Sequence, residues 1–217
     1  MTNQQTIKQI ASEVRKKLEG ESSGHDWWHV YRVWKMASRI GKKEKANMLV
    51  VELAALLHDI SDWKFNNGDD TVGPKIAAKL LKKYHVGQNV INHITEIMLT
   101  MSYKGAKVKT PMRTLEGKIV QDSDRLDAIG AIGIGRTFAY GGHANLQMHE
   151  PGKKIVMHTS KEQYFKNPTS TINHFYEKLL LLKDRMNTKT AKQLAKGRHE
   201  FMKKFLDRFY KEWEGKL

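Results

Sequence analysis

The stretch Leu53-Ala54-Ala55-Leu56-Leu57-His58-Asp59 joins five consecutive apolar residues to an imidazole and a carboxylate. It closes a helical pattern that runs from Ala46 to His58. A helix that is apolar around its whole circumference is buried on every side. The polar end of this one, continued by Ser61 and Asp62, then faces an opening in the fold. Adjacent helical positions differ by about 100° around the axis, so His58 and Asp59 can address one ion only if the backbone changes course there. By itself the dipeptide reads more readily as an ordinary helix end, with a histidine on the last carbonyls beside a solvated aspartate.

Helical spacing extends outward from this segment in both directions. Ile7, Ile10, Val14 and Leu18 form one stripe, and Val30, Val33, Trp34, Ala37 and Ile40 a second. Further helical patterns run through Ile76 to Tyr84, Val90 to Met101, Thr114 to Ile134, Glu162 to Met186 and Thr188 to Trp213, while strand alternation is scarce. The expected fold is all-α, a single-domain helical bundle over residues 1–217. Its motif-bearing core spans about residues 25 to 136, and a C-terminal helical hairpin spans about 162 to 215. Phe138 to Ser160, with Gly141, Gly142, Pro151 and Gly152, lacks helical periodicity and reads as a long surface excursion. In the hairpin, Phe165, Phe175, Leu179, Leu182, Leu194, Phe201, Phe205, Phe209 and Trp213 form a stripe. That stripe either closes the core or meets a second copy of the chain in a homodimer.

Composition narrows the chemistry. The 217 residues include no cysteine, which excludes disulfide scaffolds, thiolate nucleophiles and Cys-rich zinc sites. Any metal must therefore accept nitrogen and oxygen ligands. The N-terminal segment Met1 to Lys8 lacks a basic region followed by an apolar core, and nowhere is an apolar run long enough to span a bilayer. The expected compartment is the cytoplasm, with no membrane partner. A net charge of +15 draws anions, nucleotides and nucleic acid alike, without choosing among them. The bland reading is a lysine-rich solvated surface, because runs such as Lys42-Lys43 and Lys153-Lys154 are too short to form a nucleic-acid arm. No Gly-x-x-x-x-Gly-Lys-Ser/Thr loop, Gly-x-Ser-x-Gly elbow or His-Glu-x-x-His motif occurs, so kinase, serine-hydrolase and zinc-protease readings lack support.

Further ligand types stand at His25 and His29 upstream, and at Asp122, Asp124 and Asp127 downstream. The combination resembles the HD-domain superfamily of metal-dependent phosphohydrolases, whose pattern is a histidine, a His-Asp pair and a distant aspartate, all carried on helices. His25-Asp26-Trp27-Trp28-His29-Val30-Tyr31-Arg32-Val33 is similar to the family's opening helix, and Ser123-Asp124-Arg125-Leu126 resembles the Ala-Asp-Arg-Leu segment of the branch that hydrolyses guanosine polyphosphate alarmones. The resemblance implies His29, His58, Asp59 and Asp124 as ligands of one divalent ion, with Mn²⁺, Mg²⁺ and Fe²⁺ undistinguished. His25 remains the competitor of His29, and Asp127 that of Asp124. A narrower likeness, in His58 to Phe65 and Arg125 to Gly133, is to a small stand-alone bacterial branch, some of whose members cleave nucleoside triphosphates.

This family likeness implies hydrolysis of a nucleotide phosphate or pyrophosphate bond by metal-activated water. Asp62, four residues after His58, is the expected catalytic acid-base group. The alarmone branch has an acidic pair at this point, and Trp63 takes the second place here, which puts a two-acid mechanism in doubt. Lys64, Arg125, Arg32 and Arg136 are the expected cations for substrate phosphate, each with an ordinary ion-pair role as the alternative. His93, Tyr103 and Lys104 are second-rank wall residues. A second ion would need histidines such as His85 and His93, but the adjacent pair typical of such sites is missing, so one ion is expected. The competing function is a nucleotide- or nucleic-acid-binding protein with a structural or vestigial metal site, motivated by the net charge.

Overall fold

The computed structural model describes residues 2–20, 26–61, 69–166 and 169–217. It contains α1 (Asn3–Lys17), α2 (Trp27–Glu44), α3 (Met48–Leu57), α4 (Val72–Lys83), α5 (Gln88–Thr100), α6 (Leu115–Asp127), α7 (Gly130–His143), α8 (Lys161–Lys166), α9 (Thr171–Glu177), a 3₁₀ turn (Leu179–Arg185) and α10 (Lys189–Trp213). Among the described residues there is no strand, and the all-α expectation is met. No helix among them is long and apolar enough to cross a membrane.

The chain forms two compact units, Met1–Tyr103 with Thr110–Ser123, and Lys104–Lys109 with Asp124–Leu217. In the first, α3 packs against α1, α2 and α5. Seven of its residues, Val50, Val51, Leu53, Ala54, Ala55, Leu56 and Leu57, are buried, as a helix apolar all round requires. The predicted stripes supply its surroundings: Ile10 and Val14 of α1, and Val30, Val33, Ala37 and Ile40 of α2, are fully buried. Asn47 starts α3, its side-chain oxygen accepting from the Leu49 and Val50 N–H groups. Trp34 is half-buried and its indole donates to Glu52 Oε2 at 2.7 Å, tying α2 to α3. Lys83 and Tyr84 donate to Glu13 at 2.7 and 2.8 Å, and these bonds hold its carboxyl below the usual carboxylate range.

In the second unit, α7 and the 3₁₀ turn pack against α10, and Phe175, Leu179, Leu182, Met202 and Leu206 form its buried centre. Three expectations need correction here. The pattern from Thr114 to Ile134 is two helices, because α6 closes at Asp127 and Gly130 opens α7 with φ +78°. The carbonyl of Leu126 accepts from the Arg198 guanidinium at that break, and from the Ile129 N–H. The excursion begins later than Phe138, since α7 continues to His143. Gly141 is a contact point there, not a breaker: a Cβ on it would lie 2.2 Å from Thr171 Oγ1. The C-terminal hairpin has only one continuous arm, α10; the other is α8, α9 and the 3₁₀ turn in succession. Phe201 and Trp213 of its stripe are 51% and 44% exposed.

Gly130 cannot be replaced without strain, because its φ is positive and an added Cβ would meet Arg198 Cγ at 2.9 Å. Gly130→Ala is expected to lower stability by about 1–3 kcal/mol. Urea unfolding followed by circular dichroism checks this; an unchanged midpoint at unchanged slope would contradict it.

Candidate metal centre

Asp26 is the N-cap of α2, and its Oδ1 accepts from the His29 N–H at 2.8 Å. This cap fixes the first turn of the helix and with it the position of His29, whose side chain is buried. α3 ends at Leu57, and the Ile60 N–H bonds back to the Leu57 carbonyl. The chain thus turns immediately after the buried helix, and the turn lets two adjacent side chains address one point.

Three atoms converge there. His29 Nε2 lies 3.2 Å from His58 Nε2 and 3.2 Å from Asp59 Oδ2, and His58 Nε2 lies 3.5 Å from the same carboxylate oxygen. The ring nitrogen on the other side of His58, Nδ1, lies 2.8 Å from the Ala55 carbonyl oxygen. A carbonyl only accepts, so the proton of the neutral ring sits on Nδ1 and Nε2 presents a lone pair to the cluster. With Asp59 ionised, a second bare imidazole nitrogen and a carboxylate oxygen at these separations would repel. Either a proton on His29 Nε2 or a cation shared by all three relieves the conflict.

The spacing fits a cation. Donors about 2.1 Å from one ion stand about 3.0 Å apart in octahedral and about 3.4 Å apart in tetrahedral coordination. The two imidazoles and one carboxylate suit first-row divalent ions. Among the described residues this is the sole group of three or more such side chains close enough to share an ion. The side chains are nearly closed off, with Asp59 at 16% exposure the most accessible.

The remaining predicted residues are distributed as follows. Asp124 is half-buried on the last turn of α6, in the second unit. Asp127, its competitor, is buried and accepts from Arg136 at 3.0 Å, an internal ion pair. Arg125 is buried and donates to the carbonyl of Arg185. Arg32 is half-buried on α2, one turn after His29. His25, Asp62 and Lys64 lie outside the described residues. His85, at φ +55°, is an exposed residue that follows the end of α4, and His93 bonds Thr114 Oγ1 at 2.8 Å. Neither belongs to the three-residue group. Tyr103 and Lys104 are half-buried just after α5.

Two supporting groups escaped the reading of the sequence. The Ala55 carbonyl that sets the tautomer of His58 carries no residue-type signal, because every residue has one. Asp26 does carry a signal, an aspartate three residues before His29 at an N-cap spacing, but it lies inside the segment from His25 that resembles the family's opening helix.

The chain is similar to known proteins in sequence and fold. The family profile for the HD domain matches residues 27–129. The Bacillus subtilis protein YpgQ is 41% identical over 211 residues, 95% of this chain and 93% of YpgQ. The solved structure of YpgQ in complex with ADP has a TM-score of 0.74 at 36% identity and covers 95% of this chain and 97% of that one. An HD-superfamily hydrolase from Bacillus thuringiensis gives 0.76 at 42% identity, covering 98% and 99% of the two chains. A protein from Lactobacillus plantarum gives 0.87 at 36% identity, covering 99% and 100%.

An ion that binds the folded protein must stabilise it. At a free Mn²⁺ concentration about a hundredfold above Kd, the gain is about 2.7 kcal/mol, or about 5–10 °C in Tm for a chain of this size. Thermal melts should show this shift in the natural protein and lose it in His58→Ala and Asp59→Ala. An equal shift in all three would remove the cluster from consideration as the binding site.

Proposed function

This chain belongs to the HD-domain family, and from that premise we propose that it is a phosphohydrolase cleaving a phosphate or pyrophosphate bond of a nucleotide. The observation that carries the reading is the convergence of His29 Nε2, His58 Nε2 and Asp59 Oδ2. Asp124 is the fourth ligand in this proposal, on the strength of its place in Ser123-Asp124-Arg125-Leu126. Support for a nucleotide comes from YpgQ, which was crystallised with ADP.

When bound, the ion supplies Lewis acidity, lowering the pKa of water and drawing charge from phosphate oxygens. The protein's own residues do the rest. His58 is held in one tautomer by Ala55, and Asp26 fixes the turn that carries His29, so the donors are oriented before any ion arrives. Asp62 is assigned the proton of the attacking water as the new P–O bond forms and the bond to the leaving oxygen breaks. Lys64, Arg32, Arg125 and Arg136 are assigned to the phosphates. A guanidinium carries five N–H donors, so the contacts of Arg125 with Arg185 and of Arg136 with Asp127 are compatible with a phosphate contact and orient the planar group for it.

The test is a panel of nucleoside mono-, di- and triphosphates, alarmones and phosphodiesters, each with Mn²⁺, Mg²⁺ or Fe²⁺ and with product analysis. Turnover of one nucleotide class that depends on the ion is expected. Asp59→Ala should lower kcat by about 10³-fold or more with helicity unchanged. Retained turnover in that variant with the original metal dependence would contradict the assignment.

A further inference from the structure

The outward face of α2 carries a composition that the metal centre does not explain. From Trp27 to Lys43 this helix carries Arg32, Lys35, Arg39, Lys42 and Lys43 and no acidic residue. Its apolar side, Val30, Val33, Ala37 and Ile40, is fully buried. At about 100° per residue, Trp28, Tyr31, Lys35, Arg39 and Lys42 form a strip on the opposite side, turned away from the face that bears His29. All five are exposed, Trp28 at 56% and Tyr31 at 36%. Trp28 to Lys42 spans ~21 Å of helix.

The aromatic end of the strip is propped into place. The Tyr31 ring lies 6.1 Å from Trp27, 5.9 Å from Trp28 and 6.3 Å from Trp34, and Lys35 Nζ sits 5.8 Å from its centroid. Trp34 is anchored in turn by its bond to Glu52. Two large aromatic surfaces are therefore held open to solvent at one end, with a ladder of cations leading away from them.

We infer that this strip binds single-stranded nucleic acid, the bases stacking on Trp28 and Tyr31 and the phosphates running along Lys35, Arg39, Lys42 and Lys43. Stacking platforms joined to a positive track are how strands are bound without sequence readout. A duplex keeps its bases stacked inside and offers such aromatics nothing to hold. An acidic lipid surface suits the charge but not the face. Interfacial helices insert a broad apolar side, whereas the apolar side of α2 is buried and its exposed strip has no aliphatic residue. The chain's net charge of +15 favours a polyanion of either kind, and the stacking surface selects the strand.

Fluorescence anisotropy of a labelled oligo(dT) of about twelve nucleotides tests this. Binding is expected below about 50 mM salt, with log Kd changing by about 2–3 per decade of salt for three to four phosphate contacts. It should be accompanied by quenching of tryptophan emission. Trp28→Ala should weaken binding about tenfold. Lys35→Glu/Arg39→Glu/Lys42→Glu, all at exposed positions, should flatten the salt dependence. No binding up to about 100 µM protein at low salt overturns the proposal. So does equal affinity for a duplex, displacement of the strand by ADP or EDTA, affinity unchanged in both variants, or attachment to anionic vesicles without strand binding.

Discussion

Three electron-rich atoms pressed within 3.5 Å of one another are the constraint on which the rest of this structure turns. Such a cluster is unfavourable unless a proton or a cation is shared among its members, and packing on every side keeps it assembled. α3 is buried on all sides, so its end cannot shift without opening the core of the first unit. α2 is pinned beside it by packing and by the Trp34–Glu52 bond. Held in this way, the donors are arranged before the ion arrives, and little reorganisation opposes binding.

Much of this was legible in the sequence because buried helices announce themselves. The stripes at Ile7 to Leu18 and Val30 to Ile40, and the unbroken apolar run Leu53 to Leu57, are properties of short windows, and all of them sit where periodicity puts them. The His58-Asp59 pair was readable as a metal pair only if the chain turned at once, and it does. His29 was reachable only through family likeness, since a histidine on a buried face has no ligand signature of its own.

The breaks that periodicity does not reveal have separate physical origins. Gly141 and Gly142 look like breakers by composition, yet α7 continues past both. Gly130 takes a left-handed turn that splits one apolar pattern into two helices. Gly141 admits Thr171 against the backbone inside a helix that continues past it. The break of the C-terminal pattern into α8, α9 and a 3₁₀ turn has no glycine to mark it. Apolar residues recur through all three segments, so periodicity does not register where one ends and the next begins.

The most direct test of the centre is anomalous diffraction at the manganese edge from crystals soaked in Mn²⁺. The account predicts a single strong peak bonded to His29 Nε2, His58 Nε2 and a carboxylate oxygen of Asp59. A peak elsewhere, or none in crystals saturated with the ion, would contradict it.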